Sequence, residues 1–130
     1  MLPKALILEN SPIDAAFLRM MLERSKWHAQ IISELSDFSA LASKLEEHTI
    51  VFVNSQFSKL TTKEIIPQIK SIWKKNSTHG IIIAMLNSSL TTEVKEAVEA
   101  GADFCLIKPI YQHHLREIIE KLATKNAVAA

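Results

Sequence analysis

The chain alternates, five times over, between a short apolar run and a segment whose apolar residues recur at helical spacing. Few architectures remain open to such a chain, because runs apolar on both faces need helices to cover both sides of the sheet they form. The runs are Ala5–Leu8, Ala29–Ser33, Thr49–Val53, Gly80–Leu86 and Phe104–Ile107. The third is β-branched and aromatic and stops abruptly at Asn54; the second alternates imperfectly and is the weakest strand. Between them, Ser11-Pro12-Ile13-Asp14 supplies an N-cap serine, an N1 proline and an acid at N3. A helix is expected from about 12 to 25, with Ile13, Phe17, Met20 and Met21 at core spacing and Arg19, Glu23 and Arg24 elsewhere.

The remaining helices follow the same logic. Ser36 or Asp37 caps a second, with Phe38, Leu41, Ala42 and Leu45 on one side. Thr61-Thr62-Lys63-Glu64 offers a capping box to a third, which carries Ile65, Ile66, Ile69, Ile72 and Trp73, and which Pro67 should shorten or bend. Thr91 or Thr92 starts a fourth, with Val94, Ala97 and Val98 inward and Gly101 as its C′ residue. The last presents Leu115, Ile118, Ile119 and Leu122 before a frayed tail at 126–130. Five βα units predict an α/β fold, a flavodoxin-like (βα)5 doubly wound sheet of five parallel strands with helices on both faces, in one domain over 1–125.

Composition removes several function classes. Fifteen Lys plus Arg against fourteen Asp plus Glu leave +1, so no overall charge draws the chain to nucleic acid or an anionic membrane. Two glycines, Gly80 and Gly101, cannot build a phosphate-cradling GxxxxGK[ST] or GxGxxG loop. One cysteine excludes an internal disulfide, a CxxC pair and a cysteine zinc cluster. No apolar run is long enough to span a bilayer and no signal sequence opens the chain, so a reducing, cytoplasmic setting is the expectation.

In a doubly wound sheet the working site lies at the carboxyl ends of the strands. That rule selects Glu9, Asn10, Asn54, Leu86, Asn87 and Lys108. Strand-Glu9-Asn10-Ser11-Pro12, a buried strand ending at residue 54, and Gly101-Ala102-Asp103-Phe104-Cys105-Leu106-Ile107-Lys108-Pro109 together resemble the receiver domain of bacterial two-component response regulators, the CheY-like domains. The resemblance covers nearly the whole chain in order and spacing, and the Gly-Ala-Asp…Lys-Pro block carries most of it. In that family two acids end the first strand and hold Mg²⁺, an Asp ending the third accepts a phosphoryl group, a Thr or Ser ends the fourth, and a Lys ends the fifth.

The resemblance places Glu9 and Asn10 at the acidic pair, Asn54 at the phosphoacceptor, Leu86 at the Thr/Ser position, Cys105 at a switching aromatic position, and Lys108 at the lysine. An amide is no carboxylate nucleophile, so Asn54 forms no acyl phosphate. One carboxylate and two amides are a poor nest for a reluctantly dehydrating Mg²⁺, and Leu86 has no hydroxyl. The other aspartates, Asp14, Asp37 and Asp103, are expected to lie out of reach. The site is therefore read as a degenerate phosphorylation site with no catalytic residue, no metal and no cofactor. Lys108 is expected to pair with Glu9 and tie the first strand to the fifth, and Asn54 to serve as a structural hydrogen bonder.

Other candidates favour plain roles. His113 and Glu117 share a helix face but find no third ligand in the sequence, and His28, His48 and His79 fall at loop-like positions. Cys105 reads as a small core residue, the Lys70, Lys74, Lys75 run as a solvated face, and Met20 and Met21 as core filling. No Ser-His-Asp or Cys-His constellation converges on the edge.

The leading reading is a non-enzymatic, phosphorylation-independent pseudo-receiver in bacterial signal transduction. By resemblance it acts through the face of the fourth helix, fifth strand and fifth helix, with Lys95, Glu96, Glu99, Tyr111, Gln112 and Arg116, on a protein partner or a second copy. The family commonly joins such a domain, N-terminally, to an output domain; this domain itself is expected to bind neither nucleic acid nor membrane. The alternative is a small-molecule sensor or enzyme using a pocket at the carboxyl edge, where Asn10-Ser11, Asn54-Ser55-Gln56 and Asn87-Ser88-Ser89 offer neutral hydrogen bonders.

Overall fold

The computed structural model describes residues 4–42, 50–77 and 80–129. The elements run β1 (Lys4–Leu8), α1 (Pro12–Arg24), β2 (His28–Ile32), α2 (Leu35–Ala42), β3 (Ile50–Asn54), β4 (Gln56–Phe57), β5 (Leu60–Thr61), α3 (Thr62–Lys75), β6 (Ile81–Leu86), α4 (Thr91–Ala100), β7 (Phe104–Ile107) and α5 (Gln112–Ala129). Five parallel strands form one sheet in the order β2-β1-β3-β6-β7, so the expected flavodoxin-like topology is present. The chain reverses winding between β1 and β3, which places the functional edge at the carboxyl ends of those two strands. β4 and β5 add an antiparallel hairpin just past β3, turned by Ser58 and Lys59 at φ 52° and 63°. Two positive φ values suit the twist of a two-residue hairpin.

Strand alternation divides the core in two. Ala5, Ile7, Phe52, Ile83 and Met85 face α1 and α5, meeting Leu18, Leu22, Leu115, Ile118 and Leu122. Leu6, Leu8, Val51, Val53 and Ile82 face the other side, meeting Phe38 of α2 and Ile65, Ile66, Ile69 and Trp73 of α3. Phe38 and Trp73 meet edge to face, centroids 6.1 Å apart. Ala84 and Leu86 pack against Ala97 of α4.

The caps explain why the helices begin and end where they do. Ser11 accepts from the Asp14 amide at the start of α1. At α3 Glu64 reaches back to the Thr61 amide and hydroxyl, 3.2 and 2.9 Å away, and these bonds hold its carboxyl below the usual carboxylate range. That contribution is present above the ordinary glutamate range and fades as pH falls through the lowered value. Gly101 ends α4 at φ 115°, where a Cβ would be strained. Asp103 then binds Ile82 through backbone and side chain, its Oδ2 accepting from the Ile82 amide at 2.8 Å. The Gly-Ala-Asp block thus ends one helix and starts the next strand.

Several expectations need correction. On α1 the buried face is Ala15, Leu18 and Leu22; Ile13, Phe17 and Met20 are 69%, 57% and 40% exposed. Both sets recur at helical spacing, and the smaller side chains took the close approach to the sheet. Val98 of α4 is exposed for a similar reason, since Ala97 faces the sheet. α2 starts at Leu35, so Ser36 and Asp37 lie within its first turn. Pro67 sits inside a continuous α3. His28 opens β2 instead of lying in a loop, and α5 continues helical through the expected tail to Ala129. Leu45, His48, Thr49 and His79 lie outside the described residues, as do the Leu41 and Ala42 side chains.

Candidate functional site

At the carboxyl edge the end of β1 delivers Glu9, and the sheet walls it in until it is 3% exposed. A buried carboxylate needs full hydrogen bonding. Lys108, directly after β7, brings its Nζ to 2.6 Å from Glu9 Oε2. Oε1 accepts from the Ser11 amide at 3.1 Å and from Asn54 Nδ2 at 3.0 Å. The expected tie between the first and last units of the fold is therefore made by a charge-assisted bond spanning 99 residues.

Each amide at this edge does something a carboxylate could not. Asn54, closing β3, donates from one nitrogen to Glu9 Oε1 and to the Gln56 carbonyl, both at 3.0 Å. Asn10 donates to the Ser33 carbonyl at 2.9 Å and accepts from the Ser58 amide at 3.0 Å, clasping the β2–α2 loop to the hairpin. An aspartate at either position would place oxygen against oxygen. Leu86 is buried against α4, while its carbonyl accepts the Lys108 amide at 2.7 Å. Asn87 and Ser55 lie 3.5 Å apart. The neutral groups around the edge are thus largely engaged with one another.

Asp14 was missed. On the first turn of α1, its Oδ2 lies 3.1 Å from Lys108 Nζ, so the ammonium sits between two carboxylates and an aspartate does reach this edge. The signal was available: an acid at N3 of a helix that follows the first strand after a three-residue link lies over the strand end. Among the described residues Asp37 and Asp103 do not join this cluster; Asp103 is taken up by Ile82.

On the proposed protein-binding face, Lys95, Glu96, Glu99, Tyr111 and Arg116 are exposed, and Lys95 and Glu99 form a loose pair at 3.9 Å. Gln112 departs from the expectation: it is half-buried and its amide reaches toward α1, 3.4 Å from the Met21 carbonyl. Cys105 is half-buried, and burial pushes its thiol above the ordinary range. Tyr111, His113 and His114 cluster at the start of α5, the two imidazoles 4.0 Å apart by centroid. Among the described residues no group of three His, Cys, Asp or Glu is placed to hold a metal.

No protein-family model matches the chain, and neither does any curated protein. Solved structures do. A chain of the co-crystal structure of the Saccharomyces cerevisiae histidine phosphotransfer signaling protein Ypd1 with the receiver domain of its downstream response regulator Ssk1 matches at TM-score 0.83 and 22% identity, over 97% of this chain and 92% of that one. The CheY-like receiver domain from Methylobacillus flagellatus matches at 0.79 and 22%, over 94% and 99%. The receiver domain of a sensor histidine kinase from Pseudomonas aeruginosa, described with magnesium coordinated in its active-site cleft, matches at 0.76 and 15%, over 94% and 98%. The chain has the fold of response-regulator receiver domains.

The magnesium that this fold implies can be tested against the donors here, and they do not fit it. Glu9 is committed to Lys108, Asn54 and Ser11; Gln56 O is taken by Asn54, and Asn10 Oδ1 by Ser58. Asn54 Oδ1, buried without a partner among the described residues, is free, and the half-exposed Asp14 carboxylate already faces the Lys108 ammonium. One neutral oxygen does not dehydrate a hard divalent cation. The local positive charge is Lys108.

Proposed function

We propose that the chain is a pseudo-receiver, a signalling module that works through protein contacts without being phosphorylated. One observation carries the reading: the Lys108 ammonium is seated on the Glu9 carboxylate while the Asn54 amide holds that carboxylate's other oxygen. A phosphate-switched receiver uses differential contacts of its lysine and hydroxyl with the phosphoryl group to shift between states. Here the lysine is engaged from within, the acceptor position is an amide, and the hydroxyl position is Leu86, so the edge is held in one state. No helix among the described residues is long and apolar enough to cross a membrane. The reading places the domain in the cytoplasm and assigns signal output to the α4–β7–α5 face, either toward a partner or toward a second copy.

The receiver domain in the yeast co-crystal structure is described together with a protein partner, which supports a protein-contact role for this fold. Charge reversal of Lys95 and Arg116 together tests the face. Both are exposed, so thermal stability should stay nearly unchanged. Association, measured by sedimentation or by capture of a partner, should weaken by about tenfold, and equally with and without beryllofluoride and Mg²⁺. Association that appears only with the phosphoryl mimic would overturn the proposal.

A further inference from the structure

We infer that the outer face of α1 is a contact between two copies of this chain, packed antiparallel about a two-fold axis that crosses the helix between Leu18 and Arg19. This face is separate from α4–β7–α5, and the inference stands without the function proposed for that one. Ile13, Phe17, Met20 and Arg24 follow one another by four, three and four residues, the spacing of a coiled-coil seam. The helix buries Ala15, Leu18 and Leu22 on its other side, so the seam points away from the sheet and Ile13, Phe17 and Met20 are exposed. Three large apolar side chains in one such stripe mark a surface that another chain covers.

Charge and spacing select a second copy. At the N-terminal end of the face the Glu9 and Asp14 carboxylates and the Lys108 ammonium sum to one negative charge, and Asp14 is half exposed. At the C-terminal end Arg24 is positive, exposed and pairs with no acid among the described residues. The ten residues between Asp14 and Arg24 set these charges about 15 Å apart along the helix. The face is neutral in sum and opposite in sign at its ends. An antiparallel copy answers both ends at once. The two-fold sets each Phe17 against the copy's Met20. It also lays the stem of each Arg24 over the copy's Ile13, with the guanidinium in reach of the adjacent Asp14. Glu23 falls beside the copy's Ala16, away from its like. Such self-complementarity is what an interface between identical patches requires. The helix offers only 13 residues a side, so the dimer is weak and forms with rising concentration.

The test uses the whole chain with ¹³C-labelled methionine methyls, because Met20 and Met21 lie on α1 and do not report association through α4–β7–α5. As protein concentration rises from about 10 µM to about 1 mM, both signals should shift along one saturable curve, with sedimentation giving two copies at its upper end. Phe17→Glu, at the exposed centre of the face, should weaken association at least about tenfold with the folded spectrum kept. Arg24→Glu should do the same, since it sets acid against acid. Asp14→Lys should also associate poorly alone. An equimolar mixture of Asp14→Lys and Arg24→Glu should return to within a few-fold of the wild-type affinity, because opposite charges then meet at both ends. Should Asp14→Lys not fold, Phe17→Glu and Arg24→Glu decide the matter. Constant methionine signals in the wild type would overturn the inference and leave the face to a different protein. So would association that survives Phe17→Glu or Arg24→Glu, or a mixture no tighter than its components.

Discussion

Lys108→Ala is expected to destabilise the domain by about 3 kcal/mol, because it leaves a buried carboxylate without its counter-charge. Glu9 keeps two donors on Oε1, but Oε2 loses its ammonium partner at 2.6 Å and lies too deep for water to replace it fully. The aliphatic stem, largely covered, adds lost packing. Glu9→Gln should cost less, since Lys108 retains Asp14 and an amide can be buried more cheaply than a lone charge. The double variant should then be more stable than the sum of the single losses implies, by about 2 kcal/mol. Asp14→Asn should cost less than about 0.5 kcal/mol, since that half of the cluster is exposed. Denaturant unfolding of the four variants measures all of this, and strictly additive losses at Glu9 and Lys108 would contradict the pairing.

Asn54→Asp carries the second large effect, and its direction is adverse. The substitution looks like a repair of the phosphoacceptor. In this site it replaces an N–H that bonds Glu9 Oε1 and Gln56 O, both at 3.0 Å, with an oxygen facing two oxygens. Two carboxylates then share a buried corner whose single lysine already serves Glu9 and Asp14. A loss of about 2–3 kcal/mol follows from the broken bonds and the added charge. Efficient phosphoryl transfer should still not appear, because Asn10 remains bound to Ser33 and Ser58 and Leu86 supplies no hydroxyl. Chemical unfolding at neutral pH checks the first point and acetyl phosphate incubation of the variant the second.

The sheet was legible in the sequence because its strands are apolar on both faces and stop at polar residues: Asn54 ends β3 and Lys108 follows β7. The pairing of Lys108 with Glu9 was legible through the resemblance, which sets both residues at one carboxyl edge; β3 and β6 lie between β1 and β7, and the length of the lysine side chain closes the gap. Helix faces were less legible. Ile13, Phe17 and Met20 keep helical spacing as faithfully as Ala15, Leu18 and Leu22, and spacing does not say which stripe meets the sheet. Ala15 resolves it in the structure, because a small side chain lets α1 lie close over β1. Asp14 was discounted as a residue of the helix, although the first turn of that helix stands over the site. The hydrogen bonds of Asn10 to the β2–α2 loop and the hairpin depend on loop positions that no periodicity encodes.

The most direct test is the intact mass of the protein after incubation with acetyl phosphate and Mg²⁺, with Asp14→Asn run alongside to account for the aspartate that does reach the edge. The account predicts that neither protein gains a phosphoryl group. An added phosphoryl mass on the wild type, mapped by peptide analysis to Glu9, Asp14 or any other residue of the carboxyl edge, would contradict it.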